Sequence, residues 1–595
     1  MNTSGVISPP GARRVHTLPG TLRPELGRVA LGCLCLVGTN AFSLAIPWLL
    51  KQAIDALRGF APAVAQRIVV RDAIAIIAFA ALQAVIRTWS RIFIFDAGRN
   101  VEYRLRRDLF AHLTRLDPAF YRRHPTGDVM SRLTNDLGAV RALFGPGLLN
   151  LLNTALVYAT ALALLLRLSP RLTLLALIPY PLLLGAARVA SRHIHRASRA
   201  IQEQLGTMST AIQEDLAGIA VIKHYTLEES RQRAFRAVND EYLTRALALV
   251  RTRGALMPLF AMLGGVGTLI VLWGGGREVI AGRMTVGGLV AFNGYLVLLS
   301  WPTFALGWII GIWQRGVAGW ARVRELLETT PKIGDAPGVG GAAPRTPSVE
   351  VRDLTISADG RRLLDSVSFD LPAGATLAVV GRTGSGKTTL VDAVLRMQEL
   401  APGAVRIGGR DVTEIPLAEL RRLVGYAPQD GFLFSATVAD NIAFGIRDSI
   451  EPAAREERVR RAAEAAGLGP DVAVLPDGYQ TLVGERGITL SGGQRQRVAL
   501  ARALAADPQI LILDDSLSSV DAETERAILT RLRPILAGRT SILISHRVAA
   551  VKNADQILVL DEGRVAECGT HAALLASGGV YASLYREQLA QEGVT

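Results

Sequence analysis

A run of glycines around one lysine carries the first chemistry. Gly381-Arg382-Thr383-Gly384-Ser385-Gly386-Lys387-Thr388 follows the short apolar stretch Leu377-Ala378-Val379-Val380 directly, and the helical pattern Thr389-Leu390-Val391-Asp392-Ala393-Val394-Leu395 comes next. This is GxxxxGK[ST] in its required strand–loop–helix context. The glycines let backbone N–H groups curl around a phosphate, and the helix N-terminus favours its negative charge. Lys387 would reach the β- and γ-phosphates, and Thr388 would ligate Mg²⁺. The stretch Gly381 to Thr389 therefore reads as a nucleotide site.

Two further groups follow. Ile510-Leu511-Ile512-Leu513-Asp514 is the pattern of a buried parallel strand ending in a carboxylate, and ligands bind at such strand ends. Asp514 would hold the Mg²⁺. Between the two regions, Leu490-Ser491-Gly492-Gly493-Gln494 opens a basic helix that continues Arg495-Gln496-Arg497-Val498-Ala499. Ser-Gly-Gly ahead of a helix makes a second phosphate site from hydroxyl, backbone amides and dipole.

The chain that must position these groups has 595 residues, half of them apolar, and a formal charge of +14. That is too long for one core. The charge could suggest nucleic acid, but the arginines cluster beside apolar spans rather than among aromatics, as on the cytosolic face of a membrane protein. Cys33, Cys35 and Cys568 give no disulfide framework and no redox or metal role.

Six stretches are long enough to cross about 30 Å of hydrocarbon: Val29–Leu50, Val69–Phe95, Gly145–Arg167, Leu172–Val189, Leu256–Trp273 and Val286–Ile310. The first is too long for a signal peptide and has no small-residue cleavage site followed by a soluble domain. Arg13, Arg14, Arg23 and Arg28 precede it, and Arg-rich segments run from Arg99 to Arg141 and from Arg192 to Arg253. The positive-inside rule places both termini, both long segments and the second half in the cytosol. The long segments are helical in pattern and turn at Asp117-Pro118 through Pro125-Thr126-Gly127 and near Glu214–Gly218. Expected domains are a cytosolic segment 1–28, a six-helix transmembrane domain 29–328, a Gly/Pro/Ala-rich linker 329–347 and an α/β nucleotide-binding domain 348–595 with a helical subdomain.

At this point the residues carry a family resemblance. Leu490–Gln494 resembles the signature of ATP-binding cassette (ABC) proteins, and other matches fall in family order. Gln429, in Ala427-Pro428-Gln429, resembles the Q-loop; Gly484-Glu485-Arg486-Gly487 the exporter X-loop; Ser518-Ser519-Val520-Asp521 the D-loop; and His546 the switch histidine. Phe120-Tyr121, Gly127-Asp128 and Thr134-Asn135-Asp136 resemble the first coupling region of ABC exporters, and Ile219 to Glu228 the second. The resemblance covers nearly the whole chain. It implies an ATPase in the inner (plasma) membrane, with ATP and Mg²⁺ as cofactors, Gln429 as a further Mg²⁺ ligand, and Asp515, His546 and Gln429 in catalytic roles. Ser491, Gly492, Gly493 and Gln494 would serve the nucleotide of a partner chain across a dimer.

Two departures stand out. The family's usual base is a Glu directly after the magnesium Asp, and this chain has Asp515 there. Its carboxylate falls about 1 Å short, a misplacement that can cost on the order of 10²-fold in rate. An aromatic that commonly stacks on adenine is missing from Leu354-Thr355-Ile356-Ser357-Ala358-Asp359. Both changes fall in the site on this chain's own phosphate loop, which resembles the MdlA-like half of bacterial heterodimeric multidrug-type exporters, whose partner carries the Glu. A homodimeric lipid flippase or peptide exporter, and a membrane sensor that does not transport, remain as alternatives. In the spans, Arg87 and Arg91 either grip an anionic substrate or snorkel, and their place near the cytosolic end of span two favours snorkelling. Asn293, Pro302, Trp301, Trp308 and Trp313 either line a cavity or pack at the interface.

Overall fold

The structure, a computed structural model, describes residues 17–591 except 337, 343, 345, 359, 447–449, 485–489 and 548–550. Several side chains between 180 and 195 and between 256 and 264, and those at 304, 522 and 591, are also outside the description. The chain divides into two compact units: Met1–Thr114 with Thr126–Thr329, and Arg115–Pro125 with Thr330–Thr595.

The first unit is helical. Its six passages are Leu26–Gly59, Pro62–Leu113, Thr126–Leu168, Pro170–Leu177 running on as Pro179–Ala217, Glu228–Ile280 and Val286–Glu328. Each predicted span lies inside one of them. Pro62–Leu113 has 52 residues and Glu228–Ile280 has 53. At 1.5 Å per residue that is about 80 Å, far more than about 30 Å of hydrocarbon, so the Arg-rich excess runs on beyond the bilayer as helix. Judged on the described residues, four passages have the length and apolarity to cross: Leu18–Gly59, Pro62–Leu113, Thr126–Leu168 and Val286–Glu328. The other two contain undescribed side chains in their apolar stretches.

Without a hydrophobic driving force between helices in lipid, packing and hydrogen bonds must join them. A Cβ on Gly98 would stand 3.0 Å from the Gly145 amide nitrogen, so the second and third passages meet backbone to backbone. Asn40 Nδ2 donates to Asn153 Oδ1 at 3.1 Å, the Tyr158 and Thr303 hydroxyls pair at 2.6 Å, and the Tyr295 hydroxyl donates to the Leu44 carbonyl at 3.0 Å. The third passage relaxes into π-turns at Arg132–Asp136 and Leu143–Gly147, the second around Pro146, whose ring cannot continue the regular ladder. At one end of the unit, Arg132 donates to Asp128 and Glu325, each at 2.9 Å, and Arg322 pairs with Asp136, joining the third passage to the sixth. At the other end Asp55 accepts from the Thr285 hydroxyl at 2.9 Å and the Gly287 amide at 3.1 Å, fastening the first passage to the start of the sixth.

The second unit is α/β. A six-stranded sheet has the order β10 (Arg564–Gly569), β9 (Gln556–Asp561), β3 (Thr376–Val380), β8 (Thr540–Ile544), β7 (Ile510–Asp514), β6 (Val424–Ala427). All neighbours from β9 to β6 are parallel. β7 and β8 are buried throughout, the covered-on-both-faces pattern that their unbroken apolar runs predict. A second, antiparallel sheet is ordered β2 (Arg361–Leu371), β1 (Val349–Ala358), β4 (Val405–Ile407), β5 (Arg410–Asp411). Separate apolar cores lie behind the phosphate-loop helix, through Leu390 and Val391, and behind the signature helix, through Val498 and Leu500.

Two segments hold more structure than their composition indicates. The segment 329–347, read as a linker, is bound down from Thr330 on: Arg396 donates to the Gly334 carbonyl at 2.7 Å, Arg410 to the Ala342 carbonyl at 3.1 Å, and the Leu417 amide to Asp335 at 2.9 Å. Its glycines expose carbonyls that arginines can reach, which composition alone does not reveal. The turn near Glu214–Gly218 is longer than expected, with a separate helix Ile219–His224 before the chain returns at Glu228. The first turn holds as read: Asp117 caps Pro118–Arg123, accepting from the Phe120 amide at 2.9 Å, and Phe120 stacks on His124. This helix belongs to the second unit, where Asp117 also accepts from the Lys332 amide at 3.4 Å.

The turn between the fifth and sixth passages offers a topology test. Gly282 has φ +69, where a side chain is strained, so the probe belongs on exposed Ala281. Ala281→Cys should react with a membrane-impermeant maleimide added to intact cells, and exposed Cys568 should react only after lysis. The reverse order would invert the topology.

Candidate functional site

Strand register assembles the site. Val379 pairs with Ile544 and Asp514 pairs with Ile544, so β3, β8 and β7 end level with one another. Gly381, Asp515 and Ser545-His546 therefore all emerge at the same carboxyl edge, where an open α/β sheet receives ligands. The loop then turns into the helix Lys387–Val394 through Gly386, at φ +100. A Cβ at Gly386 would fall 2.6 Å from Leu364 Cδ2 and 2.7 Å from the Leu363 carbonyl, so neither the angle nor the space admits another residue. Ser385 Oγ is buried with no hydrogen-bond partner, an energetic cost that a phosphate oxygen would remove.

Lys387 is buried, and its Nζ donates to the carbonyls of Gly381 at 2.9 Å and Arg382 at 2.8 Å. Burial pushes its pKa down, against the pull of Asp515 and Asp514. Burial likewise pushes the Asp514 carboxyl up, offset by hydrogen bonds from Thr388 and from the Tyr426 hydroxyl, the latter at 3.4 Å. A buried carboxylate bonded to a phosphate-loop hydroxyl is a donor set of hard oxygens, which fits Mg²⁺. Asp515 adopts φ +46, its amide donates to the Ile544 carbonyl at 2.9 Å, and its Oδ2 accepts from Gln429 Nε2 at 3.4 Å. A cavity of about 240 Å³ lies beside it, lined by Asp515, Ser518, Glu525, His546 and Arg547.

Lys387, Thr388, Asp514, Asp515 and Gln429 thus gather at one place, with His546 across the cavity. Ser491–Gln494 does not join them and belongs to the other core. Ser491 caps the helix Gly492–Ala505: its hydroxyl accepts from the Gln494 amide at 3.2 Å, and Gln494 Oε1 accepts from the Ser491 amide at 2.9 Å. In the stretch expected to lack an adenine stack, Leu354 and Ile356 point into the core and the Thr355 hydroxyl accepts from the Ser366 amide at 3.1 Å; Asp359 lies outside the described residues. Glu485, Arg486 and Gly487 lie outside them as well. On the single chain Arg87, Arg91, Trp301, Trp308 and Trp313 are exposed, Pro302 is buried, and Asn293 Oδ1 is buried without a partner.

Sequence reading passed over Tyr426. No local signal marks it: Tyr426 comes beside Asp514 only because β6 pairs with β7, with Tyr426 opposite Ile512. Asp392 was also missed. Burial raises its pKa, Arg122 lowers it and Asp514 raises it, so the Pro118–Arg123 helix acts electrostatically on the phosphate-loop helix.

Fold and site together define a membrane-spanning exporter driven by an ATPase, and the chain belongs to the ABC transporter family. Residues 29–303 match the ABC transporter transmembrane region and residues 364–518 the ABC transporter family proper. The chain is 34% identical to the multidrug resistance-like ATP-binding protein MdlA of Escherichia coli, over 84% of each chain. It is 35% identical to the ATP-dependent lipid A-core flippase of Methylococcus capsulatus, over 84% of this chain and 82% of the other. It is also similar to the solved structure of a bacterial Atm1-family ABC exporter with ATP bound, at TM-score 0.78 and 28% identity, covering 94% of this chain and 99% of that one. ATP is therefore the nucleotide, the cassette is cytosolic, and the exporter acts as a dimer in a lipid bilayer.

Lys387→Ala removes the cation from the loop and should cut photolabelling of this chain by 8-azido-ATP by about tenfold, the scale of a charge-assisted bond. Undiminished labelling would count against the loop as the nucleotide site.

Proposed function

We propose that this chain is one half of a dimeric exporter of the bacterial inner membrane, that its own ATP site is slow, and that its partner is a different chain bearing the catalytic Glu. The observation that carries this is Asp515. It stands where a reaching carboxylate is needed, one methylene short, its backbone fixed at φ +46 and its oxygen against Gln429. A shorter arm on a fixed backbone cannot recover the lost reach of about 1 Å. The missing adenine stack lies in the same site.

In this reading Thr388, Asp514 and Gln429 would hold Mg²⁺, which would neutralise phosphate charge when bound. Lys387 and the amides of Gly381–Thr389 hold the phosphates, and His546 and Asp515 face the attacking water. Ser491–Gln494 completes the partner's site, where most turnover occurs. ATP bridging draws the two cassettes together only in the closed dimer, and that differential binding turns the transport cavity from inward- to outward-facing. The Pro118–Arg123 and Ile219–His224 helices transmit closure. The cargo is a small molecule, a lipid or a peptide; relatives named for multidrug resistance and for lipid A-core flipping support that range. Arg87 and Arg91 snorkel to the cytosolic headgroups rather than grip cargo.

The test is steady-state ATPase of the complex purified through this chain, with the co-purifying chain identified by mass spectrometry. Asp515→Asn should keep more than about half of the activity, because the group removed is already misplaced. Ser491→Asp retains an excellent helix cap but sets a negative charge against phosphate, and should cost at least about tenfold. Equal abolition by the two changes, with no second chain present, would make a homodimer with Asp515 as its working base the better account.

A further inference from the structure

One buried side chain joins the signature helix to two of the loops described above. Gln496, on the signature helix and 5% exposed, donates through Nε2 to the Gln429 carbonyl at 3.1 Å and to the Ser518 hydroxyl at 2.9 Å. Its Oε1 accepts from the Ser519 amide at 2.9 Å. Both amide protons and the carbonyl are engaged, and the reverse amide orientation would set oxygen against the Gln429 carbonyl and N–H against N–H. Two close backbone approaches flank it. A Cβ on Gly431 would lie 2.8 Å from the Arg495 carbonyl, and one on Gly493 would lie 3.0 Å from the Ser519 carbonyl. The signature helix is thus pressed between the Gln429 loop on one side and the Ser518–Asp521 loop on the other, with Gln496 bonded to both.

We propose that Gln496 is a positioning residue of the ATPase, making the Gln429 loop, the signature helix and the Ser518–Asp521 loop move as one body. The inference rests on the roles given above to Gln429 and Ser491. Gln429 faces Asp515 in this chain's own site, whereas Ser491 serves the other nucleotide. A rigid joint between them means that displacing Gln429 carries Ser491 with it, so occupancy of one site is felt at the second. Three satisfied hydrogen bonds in a buried position make slippage costly, since any movement of one loop alone leaves a polar group unpaired.

The test uses the full complex reconstituted in lipid. Gln496→Ala strands the Gln429 carbonyl, the Ser518 hydroxyl and the Ser519 amide. It should lower kcat about tenfold while KM for ATP stays within about twofold, because no bond to nucleotide is lost. Gln496→Glu separates positioning from packing: it fills the same volume and its carboxylate still accepts from the Ser519 amide, but it gives no hydrogen bond to the Gln429 carbonyl. Its kcat should therefore also fall about fivefold or more, with KM for ATP held within about twofold. A kcat for either variant within about twofold of the unaltered complex would overturn the proposal. If the alanine variant does not accumulate, the Gln496→Glu kcat decides alone. Gln429→Ala and Ser491→Asp test the underlying roles separately: full activity in both would defeat those roles, whatever Gln496 does.

Discussion

Lys387, Asp514 and Asp515 are all buried at the carboxyl edge of one sheet, and none could sit there alone. Burial disfavours the charged forms of Lys387 and Asp514, and the attraction of the lysine for the two carboxylates, together with local hydrogen bonds to Asp514, works against it. That constraint dictates much of the surrounding architecture. β3, β7 and β8 must end level to bring the three groups together, and parallel strands sheathed on both faces supply that alignment. Gly386 must turn without a side chain so that the lysine enters on the first turn of its helix. Thr388 and Tyr426 must face Asp514. The phosphates and cation of a nucleotide bring charges of both signs to a site that already holds both, so each incoming charge meets an opposite one there.

The membrane unit solves the opposite problem. Its helices are embedded in a medium that offers no hydrophobic reward for association, so polar and close-packed contacts fix them. These contacts are unevenly spread. Gly98 against Gly145 and Asn40 against Asn153 lie along the passages, while the charged fasteners sit near the ends, with Asp55 at one and Arg132 at the other. Such placement suits a body that must change shape. A few fasteners at the ends of the first, third and sixth passages leave the length between them free of charged ties to one another among the described residues, whereas a uniformly bonded bundle would resist any rearrangement.

Much of this was legible in the sequence. Apolar length located all six passages, because a bilayer's thickness is a fixed ruler. The phosphate loop, the Asp514 strand and the helix that opens at Ser491 were legible because each depends on residues adjacent in sequence. What was not legible depends on residues far apart. Tyr426 reaches Asp514 only through strand pairing, and Arg122 acts on Asp392 only because a short turn of the first half of the chain folds with the second. The segment 329–347 shows the same limit. Its composition is that of a flexible connector, and the arginines that hold it, Arg396 and Arg410, lie more than fifty residues away along the chain.

The signature motif shows how one short stretch can serve two purposes without conflict. A serine hydroxyl has one proton to give and two lone pairs to offer. Capping the helix Gly492–Ala505 uses only a lone pair of Ser491, which accepts from the Gln494 amide. The proton stays available for a phosphate oxygen, the role proposed above for Ser491. Gln494 divides in the same way, accepting from the Ser491 amide through Oε1 while Nε2 donates to Asp471 at 3.1 Å. A helix whose N-terminus is already built and held by its own chain can meet a phosphate without reorganising, and preorganisation of this kind is what makes an electrostatic contact effective in a closing interface. On the reading proposed above, the cap, usually a matter of helix stability, also sets the geometry of the site that this chain would lend to another.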